Sequence, residues 1–95
     1  MEFTVKFLFD KIVVKDNKIL ISNLFKKREY SLSDVEMLIL YPAHSNKLET
    51  YVIKFKDGKS ADFYRFYKNH RKLVDYLLNA GVKGIDGYTK NEFEN

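Results

Sequence analysis

Phe3, Val5, Phe7 and Phe9 alternate with Thr4, Lys6, Leu8 and Asp10, the period of two that sets one side of a strand against a core. The alternation slips at Asp10-Lys11, and Ile12 and Val14 then take it over. A tight turn, or a bend with a bulge, has to absorb that change of phase. The run from Val13 to Ile21 reads as a hairpin with Asp16-Asn17 as its two-residue loop, because Asp and Asn both tolerate positive φ. This register sets Val14 against Ile19, Ile12 against Ile21 and Val13 against Leu20, so the pairing is coherent on both faces.

Two further strands are predicted, Lys26 to Leu32 and Val35 to Tyr41, joined through Ser31-Leu32-Ser33-Asp34. In the second, Val35, Met37, Ile39 and Tyr41 share a face with Leu38 and Leu40 opposite, as in a strand covered on both sides. Pro42 to Leu48 is a loop. At Lys56-Asp57-Gly58-Lys59 the side chains choose the turn. A two-residue Asp-Gly loop would set Phe55 beside Ser60 and Ile53 beside Asp62. A three-residue loop ending in a left-handed Gly58 instead pairs Phe55 with Lys59, Ile53 with Ala61 and Tyr51 with Phe63, which matches the faces.

One helix is predicted over Asn69 to Ala80, with Asn69 as N-cap, Gly81 as C-terminal stop and a stripe of His70, Leu73, Val74, Leu77 and Leu78. The expected core is Val5, Phe7, Val14, Ile19, Ile21, Val35, Met37, Ile39, Ile53, Phe55, Phe63, Val74, Leu77 and Leu78. Residues 1–83 then form a single domain. Residues 84–95 form a flexible C-terminal tail, with Ile85, Tyr88 and Phe93 as its candidate anchors.

Composition supports a folded chain. Of 95 residues, 45% are hydrophobic and 16% aromatic, enough for a core and too much for a disordered segment. Cysteine is absent, so no disulfide supplements the core. No apolar run approaches a membrane span, and Met1-Glu2-Phe3-Thr4 lacks the basic start of a signal peptide. A cytoplasmic location is the expectation. The net charge of +4 is uneven: Lys54 to Lys72 holds seven cations against Asp57 and Asp62.

Catalytic patterns are missing. His44 and His70 are the two histidines and show no metal-ligand spacing. No nucleophile elbow, phosphate-cradling glycine loop or paired-carboxylate spacing occurs. The chain is therefore expected not to be an enzyme, with no catalytic, cofactor-binding or metal-ligating residues and no cofactor. Candidate anion-binding residues are Lys26, Lys27, Arg28, Lys54, Lys56, Lys68, Arg71 and Lys72. Lysines at a strand end also discourage edge-to-edge aggregation, and that structural reading is preferred for Lys26-Lys27-Arg28. The interleaved series Phe63, Tyr64, Arg65, Phe66, Tyr67 and Lys68 has the composition of a base-stacking surface. Core and helix-packing roles are preferred there, because alternation sends Phe63 inward.

The order of elements, with Tyr30-Ser31-Leu32-Ser33-Asp34-Val35, the Lys56-Asp57-Gly58-Lys59 hairpin and a closing helix ending Leu77-Leu78-Asn79-Ala80-Gly81, resembles small bacterial pleckstrin-homology-like domains. The resemblance covers about Phe7 to Val82. It implies a mainly β (α+β) fold, a bent antiparallel sheet or partly open barrel of six to seven strands with one C-terminal helix. Relatives that bind phosphoinositides carry a Lys, Lys or Arg, X, Arg arrangement in and after the first hairpin. Here Lys15 and Lys18 are followed by Ile19, Leu20 and Ile21, without the arginine. The expected function is a protein-binding or scaffolding module, self-association included. The alternative is a binder of anionic lipid headgroups or nucleic acid.

Overall fold

The computed structural model describes residues 2–45, 48–89 and 91–92, and of Phe7 the backbone. The strands are β1 (Glu2–Phe7), β2 (Asp10–Lys15), β3 (Lys18–Ser22), β4 (Lys27–Ser31), β5 (Val35–Tyr41), β6 (Thr50–Phe55), β7 (Ser60–Tyr64) and β8 (Lys83–Asp86), with one helix, α1 (His70–Asn79), before β8. The fold is mainly β with one helix among the described residues, as expected. A single bent antiparallel sheet or partly open barrel of six to seven strands is not what forms: the described residues hold eight strands, and one pairing, β5 with β8, is parallel. The strands make two separate four-stranded sheets: sheet A, in the order β1-β2-β3-β4, and sheet B, in the order β7-β6-β5-β8. A single 3-10 turn, Leu32–Asp34, carries the chain from β4 to β5.

Sheet A is the meander that the alternation predicts. Val14 pairs with Ile19, Ile12 with Ile21 and Val13 with Leu20. The Asp16-Asn17 loop has both residues at positive φ, 52° and 64°, the requirement of a two-residue hairpin loop that follows the twist of its strands. The phase slip at Asp10 proves to be a tight turn, with Phe7 paired to Asp10 around Leu8-Phe9.

In sheet B the three-residue Asp-Gly loop forms as predicted. The Phe55 amide donates to the Lys59 carbonyl at 2.9 Å, Ile53 pairs with Ala61 and Tyr51 with Phe63, and Gly58 sits at φ +90°.

Strand β5 departs from the predicted phase. Val35 pairs with Phe55 but Met37 with Lys54, so the register shifts at Glu36. A bulge of one residue exchanges the two faces of everything downstream. Leu38 is consequently the fully buried residue, while Met37 and Ile39, expected in the core, are half-buried on the opposite face. Ile21 is likewise half-buried and packs at the core's margin. The Phe7 side chain, also expected inside, lies outside the described residues. Val5, Val14, Ile19, Val35, Ile53, Phe55, Phe63, Val74, Leu77 and Leu78 are buried as predicted.

The segment expected as a tail from Gly84 starts as β8, which pairs parallel with β5, Ile85 opposite Ile39. Past its end the Gly87 amide donates to the Leu40 carbonyl at 2.7 Å. A Cβ there would press on the Tyr41 ring, so a larger residue at this position needs that side chain to shift. Tyr88 meets Tyr41 edge to face. The third candidate anchor, Phe93, lies outside the described residues.

Helix α1 places Leu73, Val74, Leu77 and Leu78 against the core. Asn69 does not cap with its side chain. It adopts a left-handed conformation, and its Nδ2 donates to the Thr4 carbonyl at 2.9 Å, tying the helix start to β1. At the other end Gly81, at φ +92°, donates to Leu78 and Val82 donates to Leu77, the paired closure that glycine permits. The Tyr76 hydroxyl donates to Asn17 Oδ1 at 3.4 Å, so the helix reaches the Asp16-Asn17 end of sheet A. No helix among the described residues is long and apolar enough to cross a membrane.

The two sheets are joined around Tyr30. Its ring stacks on Phe55 with centroids 3.7 Å apart. Its hydroxyl donates to Asp57 Oδ2 at 2.9 Å and accepts from Arg28 Nη1 at 3.2 Å, while Arg28 Nη2 donates to the Ser60 carbonyl at 3.0 Å. The Lys59 amide, 2.8 Å from Asp57 Oδ1, together with the Tyr30 hydroxyl holds the Asp57 carboxyl below the usual carboxylate range. A folded-state pKa below the unfolded value of about 3.9 stabilises above that value, and the contribution is lost as the pH falls through and below it. Asp57→Asn is therefore expected to melt below wild type at neutral pH, with the gap closing below about pH 4. Melting curves across pH check this, and a gap independent of pH contradicts it.

Candidate functional site

Two turns of sheet A leave it at the same end, because Lys11 pairs with Ser22 and Ser22 with Lys27. Each carries a Leu-Phe pair at its tip. In the β1–β2 turn Leu8 takes φ 51°, a conformation that bulky L-residues seldom adopt and that Gly or Asn would enter at less cost. In the β3–β4 turn Asn23 Oδ1 accepts from the amides of Phe25 at 2.9 Å and Lys26 at 2.8 Å, and the Asn23 amide donates to the Lys26 carbonyl. That side-chain-closed turn needs nothing from Leu24 or Phe25 for its own geometry.

The four tip side chains are accordingly in solvent: Leu8 and Phe9 are each 71% exposed, Leu24 64% and Phe25 89%. Phe66 is 61% exposed as well. Lys68 bridges Lys6 antiparallel, and Phe66 lies two residues before it, in the turn that the Tyr67 amide closes on the Tyr64 carbonyl at 2.9 Å. The Arg65 guanidinium lies 5.4 Å from the Phe66 ring centroid, a favourable cation–π separation.

The register also assigns the charges behind the tips. Val5, Ile12, Ile21 and Arg28 are cross-strand partners on the core face. One residue nearer the tips, Lys6, Lys11, Ser22 and Lys27 make the next row, which alternation sends to the outer face. The three lysines of that row are exposed. Each stands two residues behind a tip: Lys6 behind Leu8, Lys11 behind Phe9 and Lys27 behind Phe25. On the β4 side Lys26, Lys27, Arg28 and Lys59 surround an open hollow of about 580 Å³ with Ile21 and Asn23. A cleft between the sheets, which shares Arg28 with that hollow, is lined by Asp10, Lys11, Asp62, Tyr64 and Tyr67 among others. Burial, and then the charge of Asp10, raise the Tyr67 hydroxyl there.

The predicted anion-binding residues divide into groups. Lys26, Lys27 and Arg28 gather with Lys59, and Lys68 lies beside Lys6 on the β1 edge. Lys54 is on β6 opposite Met37 and Ser60, and the Lys56 amide donates to the Asp34 carbonyl. Arg71 pairs with Asp75 one helical turn on, Nε to Oδ1 3.4 Å. Lys72 lines a groove with Glu2, Phe3 and Tyr76. Lys54 and Lys56 line none of the hollows that hold Lys26, Lys27, Arg28 or Lys72. In the aromatic series Phe63 and Tyr67 are buried and Tyr64 half-buried, which leaves Phe66.

The histidines sit apart in aromatic surroundings. The His44 ring is 6.0 Å from Tyr88 and the His70 ring 6.3 Å from Tyr51, with His70 Nδ1 3.2 Å from the Tyr67 carbonyl. Sequence reasoning missed Leu8, Leu24 and Phe25 and assigned Phe9 to an alternating strand. The available signal was a repeated Leu-Phe pair, sitting where the alternation loses phase and followed two residues later by lysine. No family model, no curated protein and no solved structure matches the chain.

Proposed function

We propose that the chain is a non-catalytic binding module, pleckstrin-homology-like in the order of its elements, that docks through the turn end of sheet A. One observation carries the reading. Of seven large apolar side chains left exposed among the described residues, four (Leu8, Phe9, Leu24 and Phe25) belong to this end. Scattered single apolar residues are normal on a monomer, whereas a gathered set marks an interaction surface. The rival surfaces are weaker. The apolar stripe of α1 packs against the core, which leaves the helix's outer face mainly polar. Lys54 on β6, Lys56 just past its end and Lys72 on α1 stand on different elements, and neither Lys54 nor Lys56 lines the groove at Lys72. Lys26, Lys27 and Arg28, by contrast, flank the tips and give the docking end a positive rim.

The test is hydrodynamic. Purified chain added to a cell extract that retains its membranes is expected to migrate at a larger size than alone, and Phe9→Ser/Phe25→Ser is expected to remain at its own size. Both side chains are in solvent, so the double variant should keep its circular dichroism spectrum and melting temperature. Equal migration of the two proteins in extract contradicts the assignment of the docking end.

A further inference from the structure

We infer that the turn end of sheet A seats on an anionic lipid bilayer, with Leu8, Phe9, Leu24 and Phe25 entering the headgroup–acyl boundary and Lys6, Lys11 and Lys27 lying at the phosphates. The inference rests on the reading of this end as the docking end and names its occupant.

Shape argues first for a bilayer. The apolar groups are the tips of two separate turns, not the walls of a groove. A protein partner would need matched pockets for each tip, whereas the acyl boundary yields to any protruding apolar shape.

Depth argues next. The lysines of the outer row stand two residues behind the tips, about 7 Å at ~3.3 Å per residue along a strand. Interfacial elements bury their apolar part roughly 5–10 Å into the headgroup region, so tips placed at that depth bring the row level with the lipid phosphates. Long lysine stems allow the ammonium groups to adjust to it.

Charge argues third. Lys6, Lys11, Lys26 and Lys27 stand beside or behind the tips, with Asp10 as the acidic residue within the two turns. Basic residues next to an anionic surface add attraction that falls off within a Debye length. Leu8 gives the fourth argument: a leucine held at φ 51° with its side chain in solvent contributes little to the fold that glycine would not.

The experiment uses purified chain with sedimentable vesicles of phosphatidylcholine containing phosphatidylglycerol, and with vesicles of phosphatidylcholine alone. Wild type is expected to sediment with the anionic vesicles and to be released by added salt. It should bind the neutral ones roughly tenfold or more weakly, and Phe9→Ser/Phe25→Ser and Lys6→Gln/Lys11→Gln/Lys27→Gln should each lose tenfold or more. The chain has no tryptophan, so Phe9→Trp and Phe25→Trp place single reporters at the tips, and their emission is expected to shift to the blue on anionic vesicles.

Wild type that stays free of anionic vesicles at low salt overturns the inference. So does an unshifted tryptophan in a bound protein, or equal binding by the serine variant, or binding to duplex DNA without binding to vesicles. If the tips instead dock on protein, the chain enlarges in membrane-free extract in a Phe9- and Phe25-dependent way while ignoring vesicles. That result keeps the docking end and removes the lipid.

Discussion

Phe55→Ala is expected to destabilise the protein by about 3–5 kcal/mol, the range for truncating a buried aromatic. Phe55 is fully buried and carries the Tyr30 ring on its face, centroids 3.7 Å apart. Its loss removes apolar burial and also the surface that orients Tyr30 between Arg28 and Asp57. Those hydrogen bonds link β4 of sheet A to the β6–β7 hairpin of sheet B, so the damage reaches the junction of the sheets. A small domain commonly has about 5–15 kcal/mol in total, and the variant should be near the limit of folding at elevated temperature. Denaturant unfolding monitored by circular dichroism gives the difference, and a loss below about 1 kcal/mol would place Phe55 outside the core.

The second large effect is a contrast between neighbours. Leu38→Ala is expected to cost about 2–5 kcal/mol, as fully buried leucines do, and Met37→Ala less than about 1.5 kcal/mol. The bulge at Glu36 alone produces that ordering, because without it Met37 would face the core and Leu38 would not. Equal costs, or a larger cost at Met37, would show that β5 pairs with β6 in a continuous register. The same pair of unfolding curves decides both cases.

These two sites show how far the residues alone lead. Where a short loop joins two strands, the loop determines the register, and both hairpins were readable: Asp16-Asn17 demands positive φ at two residues, and Gly58 at one. The helix was readable for a similar reason, its stripe and its Gly81 stop being local signals. The phase of β5 was not. Its residues are apolar on both faces, so alternation offered no choice between them, and the bulge is set by pairing to β6. The parallel pairing of β8 with β5 is more remote still, a four-residue strand brought back across the helix, with Gly84 in place of a side chain that would announce it.

The candidate site shows the same division. Lys26, Lys27 and Arg28 were visible as a charge run, and the interleaved aromatic series pointed to Phe66 along with three neighbours that the core claims wholly or in part. That Leu8-Phe9 and Leu24-Phe25 share an end follows from the registers of three strand pairs at once. Period-two reading counts a hydrophobic residue at a turn tip as one more core position. Exposure, which separates the two, depends on where the turn falls.

The most direct measurement of the docking end is an amide-resolved NMR titration of the intact chain with small bicelles containing phosphatidylglycerol. Resonances of Leu8, Phe9, Leu24 and Phe25 are expected to broaden or shift first, followed by Lys6, Lys11 and Lys27, while Asp16, Asn17, Lys54 and Lys72 stay in place. Perturbation centred on Lys54 or Lys72, or a spectrum unchanged throughout the titration, would contradict this expectation.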